Sequence, residues 1–150
     1  ISTLHSKSDI ASAELLLENI DAIRNDTVRR IKQDQSQVTF TQRRRPDDGF
    51  INWNSKTRDI YNWVRAQTHP FPGAFTLWKG KRLYIWQTEI YDQQQEEPGV
   101  VLKIEKKKGI FISTKDGILL VKRAQLEDSV EMWADELSQK HGIKNGDILG

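Results

Sequence analysis

The sequence of 150 residues predicts an α+β fold that is mainly β, a small antiparallel barrel with flanking helices. After residue 74 the apolar residues alternate with polar ones in short segments, and glycine-containing turns separate these segments at regular intervals. In three other places the apolar residues recur every three or four positions, which is typical of amphipathic helices. We therefore expect five short strands flanked by helices, with one further helix ahead of them.

The first element in this scheme is an amphipathic helix from Leu4 to Ile23. Its apolar face needs a partner surface, and the helical pattern is under way within a few residues of Ile1, so we expect a fragment of a longer protein. The segment 43–49 (RRRPDDG) combines three like charges, a proline and an Asp-Gly pair, which predicts a boundary. We therefore predict two parts, residues 1–47 and residues 48–150.

The second part opens with a strand-like stretch at 50–53 and a helix that Asn54 or Ser55 is suited to cap and that must stop before Pro70. A hairpin around Gly80 follows, and a last helix runs from about Ser129 to His141. Between them, three further strands are expected after glycine turns, at 100–104, 110–112 and 118–121, with Gln93 to Glu97 as a loop.

Charge and composition limit the function classes that the chain can serve. The 23 Lys and Arg nearly balance the 21 Asp and Glu, so the net charge of +2 provides no strong general attraction to polyanions. Cysteine is absent, which excludes disulfides and thiolate metal sites and suits the cytoplasm. The three histidines lack a metal-binding spacing and no apolar run reaches the roughly 18 residues of a membrane span, so we expect neither a metal nor a membrane.

His69 is the first candidate reactive group, because it lies in the turn-rich stretch 67–76 (QTHPFPGAFT) and histidine is the usual general base near neutral pH. The nearby sequence offers it no orienting partner and no nucleophile at a recognisable spacing, so we assign no catalytic residue. Lysines, arginines and aromatic residues also mix along 78–86, a pattern that fits nucleic-acid binding but that solvated hairpin turns explain more simply.

The arginine triplet is the better candidate binding site. Arginine binds phosphate in a bidentate fashion, and Pro46 stiffens a loop that lies between two predicted units. A phosphate-bearing substrate is one interpretation, and a solvated linker is the other.

Three motifs in the second part share their order and spacing with one family. Asp48-Gly49-Phe50-Ile51-Asn52-Trp53, Asn62-Trp63-Val64-Arg65-Ala66 and Pro70-Phe71-Pro72-Gly73-Ala74-Phe75 resemble the start of the C-terminal domain of the folate-dependent formyltransferases. Pro98-Gly99-Val100-Val101, Thr114-Lys115-Asp116-Gly117 and Ala124-Gln125-Leu126 continue the likeness over most of the chain. The resemblance implies that residues 48–150 form an OB-like domain and that residues 1–47 are the last helix and linker of a Rossmann-like catalytic domain.

The same resemblance implies that the longer protein, here called the parent enzyme, transfers a formyl group from 10-formyltetrahydrofolate to an amine. The family's catalytic loop, His-x-Ser-Leu-Leu-Pro, is not in these 150 residues, so the cofactor would bind outside them and we predict no activity for the chain alone. Arg43-Arg44-x-Pro-Asp-Asp is similar to the sugar N-formyltransferases, which implies a nucleotide amino sugar as substrate and contacts from Arg43 and Arg44. The alternatives are the tRNA-binding part of a methionyl-tRNA formyltransferase and a stand-alone OB-like binding module.

The joint between helix and barrel is the second feature that the resemblance marks. Asn62 and Arg65 lie three residues apart and can share one face of the helix, where we expect them to fasten the following loop. Pro72 restricts the backbone of that loop and Gly73 permits a tight turn. We expect a structural role for these four residues.

Overall fold

The computed structural model describes residues 2–92 and 97–150, and it divides into two compact units, residues 1–44 and 45–150. Most of the predicted loop Gln93 to Glu97 lies outside the described residues. In the described part, no helix is long and apolar enough to cross a membrane.

The first unit consists of one long helix and a polar segment. Helix α1 spans Ser2–Arg24, and a 3₁₀ turn at Gln35–Gln37 follows, with the Asp34 carboxylate accepting the Ser36 N–H at 2.9 Å. The large apolar side chains of α1 are all at least 47% exposed: Leu4, Ile10, Leu15, Leu16, Leu17, Ile20 and Ile23. Because these side chains are exposed, packing within the first unit does not account for the helix.

In residues 45–92 and 97–150, the second unit contains two helices and six strands after a short 3₁₀ turn at Pro46–Gly49. In chain order the elements are α2 (Thr57–Gln67), β1 (Ala74–Trp78), β2 (Lys81–Asp92), β3 (Val101–Glu105), β4 (Gly109–Ser113), β5 (Ile118–Leu126), β6 (Met132–Trp133) and α3 (Ala134–His141). The α+β class, mainly antiparallel β, is confirmed. The last helix begins five residues later than predicted, because Met132 and Trp133 pair with β5 as an extra strand.

All strand pairs are antiparallel, and the order across the sheet is β1-β2-β5-β4-β3, with β6 added beside β5. Pairing among the strands that the structure describes does not close the expected barrel, because β1 and β3 are the edges of this sheet. Residues 146–150 link the two edges instead. The Val101 N–H donates to the Asp147 carbonyl at 2.9 Å, and the Gly150 N–H donates to the Leu77 carbonyl at 3.0 Å.

The main core lies on one face of the sheet, where α2 and α3 pack against it. Its fully buried side chains include Ile51, Val64, Ile85, Leu119 and Leu137. The predicted strand at 50–53 forms only a bridge, in which the Ile51 N–H donates to the Phe75 carbonyl at 2.7 Å.

The start of α2 is held by a turn that lies far away in the sequence. Asp116 Oδ1 accepts both the backbone N–H and the hydroxyl of Thr57, each at 2.8 Å, and the Thr57 hydroxyl lies 2.6 Å from that of Thr114. These bonds, the backbone one first, lower the pKa of the Asp116 carboxyl. The helix is therefore capped from the β4–β5 turn and not by Asn54 or Ser55, because Lys56 occupies the cap position and gives no side-chain bond.

Candidate functional site

The predicted phosphate-binding arginines lie at the division between the units. Arg43 and Arg44 are exposed residues that end the first unit, and Arg45 begins the second. The Arg45 N–H donates to Asp48 Oδ2 at 2.6 Å, which closes the turn at 46–49. In the second unit, Arg82 pairs with Asp47 of this turn at 2.6 Å. The binding role of Arg43 and Arg44 stays a prediction.

Asn62 and Arg65 lie on the same exposed face of α2, as their spacing predicted. Arg65 Nη1 donates to Asn62 Oδ1 at 3.5 Å, the outer limit of a hydrogen bond, and its guanidinium lies 5.2 Å from the centre of the Tyr61 ring. These contacts stay within the helix, so the expected attachment of the following loop remains a prediction.

Pro72 and Gly73 form the end of the loop that enters β1. Pro72 is exposed, whereas Gly73 is buried with φ of +95° and donates its N–H to the Gln67 carbonyl at 3.0 Å. A β-carbon on Gly73 would lie 2.7 Å from the Trp86 ring. Glycine is therefore favoured here for two reasons: its backbone tolerates a positive φ, and a larger residue would clash with the Trp86 ring.

His69 belongs to a cluster that sequence reasoning missed. Its ring stacks on Trp86 with 4.0 Å between ring centres and 9° between planes, and its Nε2 lies 3.0 Å from Glu131 Oε2. Glu131 also accepts a hydrogen bond from Arg123 Nε at 2.8 Å. Glu131 lies 62 residues from His69 along the chain, so no local pattern links the two.

The electrostatics of the cluster centre on the Glu131 carboxylate. Burial alone would raise the pKa of Glu131, but the hydrogen bonds and charges of Arg123 and His69 outweigh burial and lower it. The carboxylate is therefore held in its charged form and offsets the Arg123 guanidinium. The Arg123 guanidinium is consequently already paired when a ligand arrives.

A row of aromatic side chains extends from this cluster along the outer side of β1 and β2. Ring centres are 6.0 Å apart for Phe75 and Tyr84 and 6.1 Å apart for Tyr84 and Trp86. Tyr84 and Trp86 are two residues apart, which places both on one face of β2. Trp133 of β6 lines the same part of the surface as His69 and is 47% exposed. The Arg123 guanidinium lies 5.0 Å from its ring centre.

The chemistry available here is recognition of a flat ligand. Stacked rings, an offset ion pair and the side chains of Thr68 and Gln87 line an open depression of about 440 Å³. His69 has an orienting carboxylate and Thr68 adds a hydroxyl to this lining, but the described contacts of the His69 ring are with Trp86 and Glu131 and include no bond to that hydroxyl. Among residues 2–92 and 97–150, no group of three or more His, Cys, Asp and Glu is arranged to hold a metal ion.

Comparison with known proteins identifies the family of this chain. The formyl transferase C-terminal domain matches residues 43–142, two thirds of the chain. The methionyl-tRNA formyltransferase of Acetivibrio thermocellus is 34% identical over 149 residues, which are 98% of this chain and 47% of the relative. That of Desulforamulus reducens is also 34% identical, over 100% of this chain and 47% of its own length. The chain thus spans about half the length of these relatives.

Solved structures agree on the fold. HypX from Aquifex aeolicus, in complex with tetrahydrofolic acid, aligns with a TM-score of 0.65 and 18% identity, over 90% of this chain and 24% of HypX. A HypX variant aligns with a TM-score of 0.66, also at 18% identity, over 90% of this chain and 24% of its own. These likenesses confirm the expected fold class, and the family match confirms the resemblance found in the motifs. The chain belongs to the formyl transferase C-terminal domain family.

Proposed function

We propose that this chain is the C-terminal part of a methionyl-tRNA formyltransferase. The observation that carries the proposal is 34% identity to two such enzymes over essentially the whole chain. These relatives favour the tRNA alternative over the nucleotide amino sugar that the motif around Arg43 and Arg44 implied. A third enzyme of the same kind, from Clostridium tetani, is 32% identical over 97% of the chain.

In this proposal the chain supports a reaction whose chemical groups lie elsewhere in the parent enzyme. Residues 1–47 provide the last helix and linker of a Rossmann-like catalytic domain, and residues 48–150 provide the OB-like domain. The formyl donor is 10-formyltetrahydrofolate, which binds outside this chain. The structure of HypX in complex with tetrahydrofolic acid supports a folate as the cofactor of the parent enzyme. Since charged tRNA is used in the cytoplasm, we place the enzyme there.

Arg43 and Arg44 keep a substrate-binding role in this proposal, with the tRNA backbone as their ligand. Both are exposed and consecutive, and a guanidinium binds a phosphate with two parallel hydrogen bonds. Each phosphate contact releases counterions, so each arginine contributes to the salt dependence of binding. The alternative ligand, a nucleotide diphosphate, offers the same chemistry but far fewer contacts.

Formylation assays on the full-length parent test the proposal. Methionyl-tRNA and a nucleotide amino sugar are supplied in parallel with 10-formyltetrahydrofolate, and we expect turnover only with methionyl-tRNA. Replacing Arg43 and Arg44 by Ala should raise KM and reduce the slope of log affinity against log salt by roughly one for each lost phosphate contact. Lys140→Ala, an exposed change on α3, is the control and should leave both unchanged.

Turnover with the amino sugar alone would replace the proposal by the sugar interpretation. A parent gene that encodes only this domain, with tRNA binding but no formylation, would favour the stand-alone OB-like module. The 150-residue chain by itself should show no turnover with either amine, and any turnover would contradict its accessory role.

A further inference from the structure

We propose that the depression between His69 and Trp133 binds an unpaired nucleobase of RNA by stacking, with the exposed face of the His69 ring as the platform. The RNA partner rests on the proposed function, whereas the stacking site rests on the geometry of the second unit. The proposal concerns the base and not the phosphate backbone.

The platform is formed before any ligand arrives. His69 is stacked on Trp86 on one side, and its side chain is still 63% exposed, so the other side of the ring is open to solvent. Trp86 Nε1 donates to Gln125 Oε1 at 3.1 Å, and the ring edge lies against Gly73. Because both rings are already ordered, stacking a base on His69 loses little side-chain freedom.

The charges of the depression favour a base over a phosphate. Arg123 is a cation in its lining, and Glu131 already pairs with it at 2.8 Å while also lying 3.0 Å from His69. A phosphate would have to compete with this carboxylate. A neutral aromatic ring meets no such repulsion, and base stacking on aromatic side chains is tolerant of sequence.

The size and rim of the depression also allow a base to enter. Its volume of about 440 Å³ lies within the range of roughly 300 to 1,000 Å³ that is usual for small-ligand sites. Thr68 and Gln87 line it and offer hydrogen-bonding groups for the edge of a base. Trp133, 47% exposed, supplies a second flat surface. A base inside a duplex has both faces covered by its neighbours, so only an unpaired base can stack here.

The experiment compares two replacements of the same residue in the 150-residue chain. Binding of a single-stranded octaadenylate RNA is followed by quenching of tryptophan fluorescence, with a blunt RNA duplex of equal length as the competing probe. His69→Phe keeps a flat ring but loses the bond to Glu131, and His69→Ala loses both. Tyr91→Leu is the matched control, because Tyr91 is also an exposed aromatic residue on β2.

We expect His69→Ala to weaken octaadenylate binding about five- to 140-fold, the range for one stacked base, while His69→Phe and Tyr91→Leu bind nearly as the unchanged chain. The salt slope should be the same for His69→Ala and the unchanged chain, because a stacked base releases no counterions. The duplex should compete poorly. Circular dichroism confirms that each variant is folded.

Three results would overturn the inference. The first is that the unchanged chain shows no saturable octaadenylate binding. The second is that His69→Ala and His69→Phe lose the same affinity for octaadenylate. The third is that the duplex competes as well as unlabelled octaadenylate. The formylation assay is independent of them. If the parent enzyme formylates methionyl-tRNA but His69 does not stack a base, only this inference is wrong. If His69 stacks a base but methionyl-tRNA is not formylated, only the proposed function is wrong.

Discussion

Gly73 is a position at which a single added methyl group should damage the joint between α2 and β1. Its φ is +95°, and an added β-carbon would lie 2.7 Å and 2.9 Å from two atoms of the Trp86 ring. Trp86 cannot move aside freely, because His69 stacks on its face and Gln125 accepts its N–H. We therefore expect Gly73→Ala to destabilise the second unit.

Two costs set the size of this effect. Placing an L-residue in the positive-φ region costs about 1–2 kcal/mol, and forcing an extra carbon into a packed contact costs about 1–3 kcal/mol. Together they give about 2–5 kcal/mol. At roughly 4 °C per kcal/mol for a domain of this size, the melting temperature should fall by about 8–20 °C.

Urea unfolding followed by tryptophan fluorescence measures the loss. Gly142→Ala is the matched control, because Gly142 has φ of +81° and nothing within 4 Å of the added carbon, so only the backbone cost remains. Trp86→Phe removes the far edge of the indole, and in that background Gly73→Ala should cost only the backbone part, about 1–2 kcal/mol. Equal losses at Gly73 and Gly142 would refute the packing argument.

Three further changes test other contacts of the second unit. Thr57→Val removes the hydroxyl that bonds across to the β4–β5 turn and should cost about 1–3 kcal/mol in urea unfolding, whereas Thr57→Ser should cost much less. For Asp147, burial raises the pKa but the bonds from Trp78 and a backbone N–H outweigh it and lower the pKa, so the folded state binds fewer protons than the unfolded chain. Stability should therefore be full near pH 7 and fall below about pH 5, and Asp147→Asn should flatten that fall; a steeper fall would contradict the assignment. Gly109→Ala would place a carbon 2.0 Å from the Val121 carbonyl oxygen, and we expect little soluble folded protein in an expression trial.

The periodic parts of the fold were accessible from sequence because their signal is local. Alternation marks β1 and β2, and the intervals of three and four residues mark α1 and α2. The start of the last helix could not be predicted from the sequence, because Met132 and Trp133, near the start of the expected helix, pair with β5 in the sheet. A helical pattern was therefore overridden by a tertiary contact.

The candidate site was predicted only in part for the same physical reason. The turn chemistry of its neighbours predicts a tight turn at Gly73, which the structure gives as a buried residue with φ of +95°. The sequence could not predict the partner of His69, because this partner is Glu131, which lies in the segment between β5 and β6. Asp116 reaches the start of α2 in the same way, from 59 residues away. Long-range side-chain bonds leave no spacing in the sequence.

Trp86 connects the stability of the joint to the proposed recognition site. Its edge lies against Gly73 and its face lies against His69, so one side chain both fills the space that the glycine leaves and supports the stacking platform. Any substitution of Trp86 therefore changes folding and the platform together, and cannot separate them. Replacing His69, which is 63% exposed, removes its stacking on Trp86 and its bond to Glu131 but leaves the contact between Trp86 and Gly73. A binding defect in His69→Ala with an unchanged unfolding midpoint would thus assign recognition to the ring itself, because the contacts that hold the joint would still be in place.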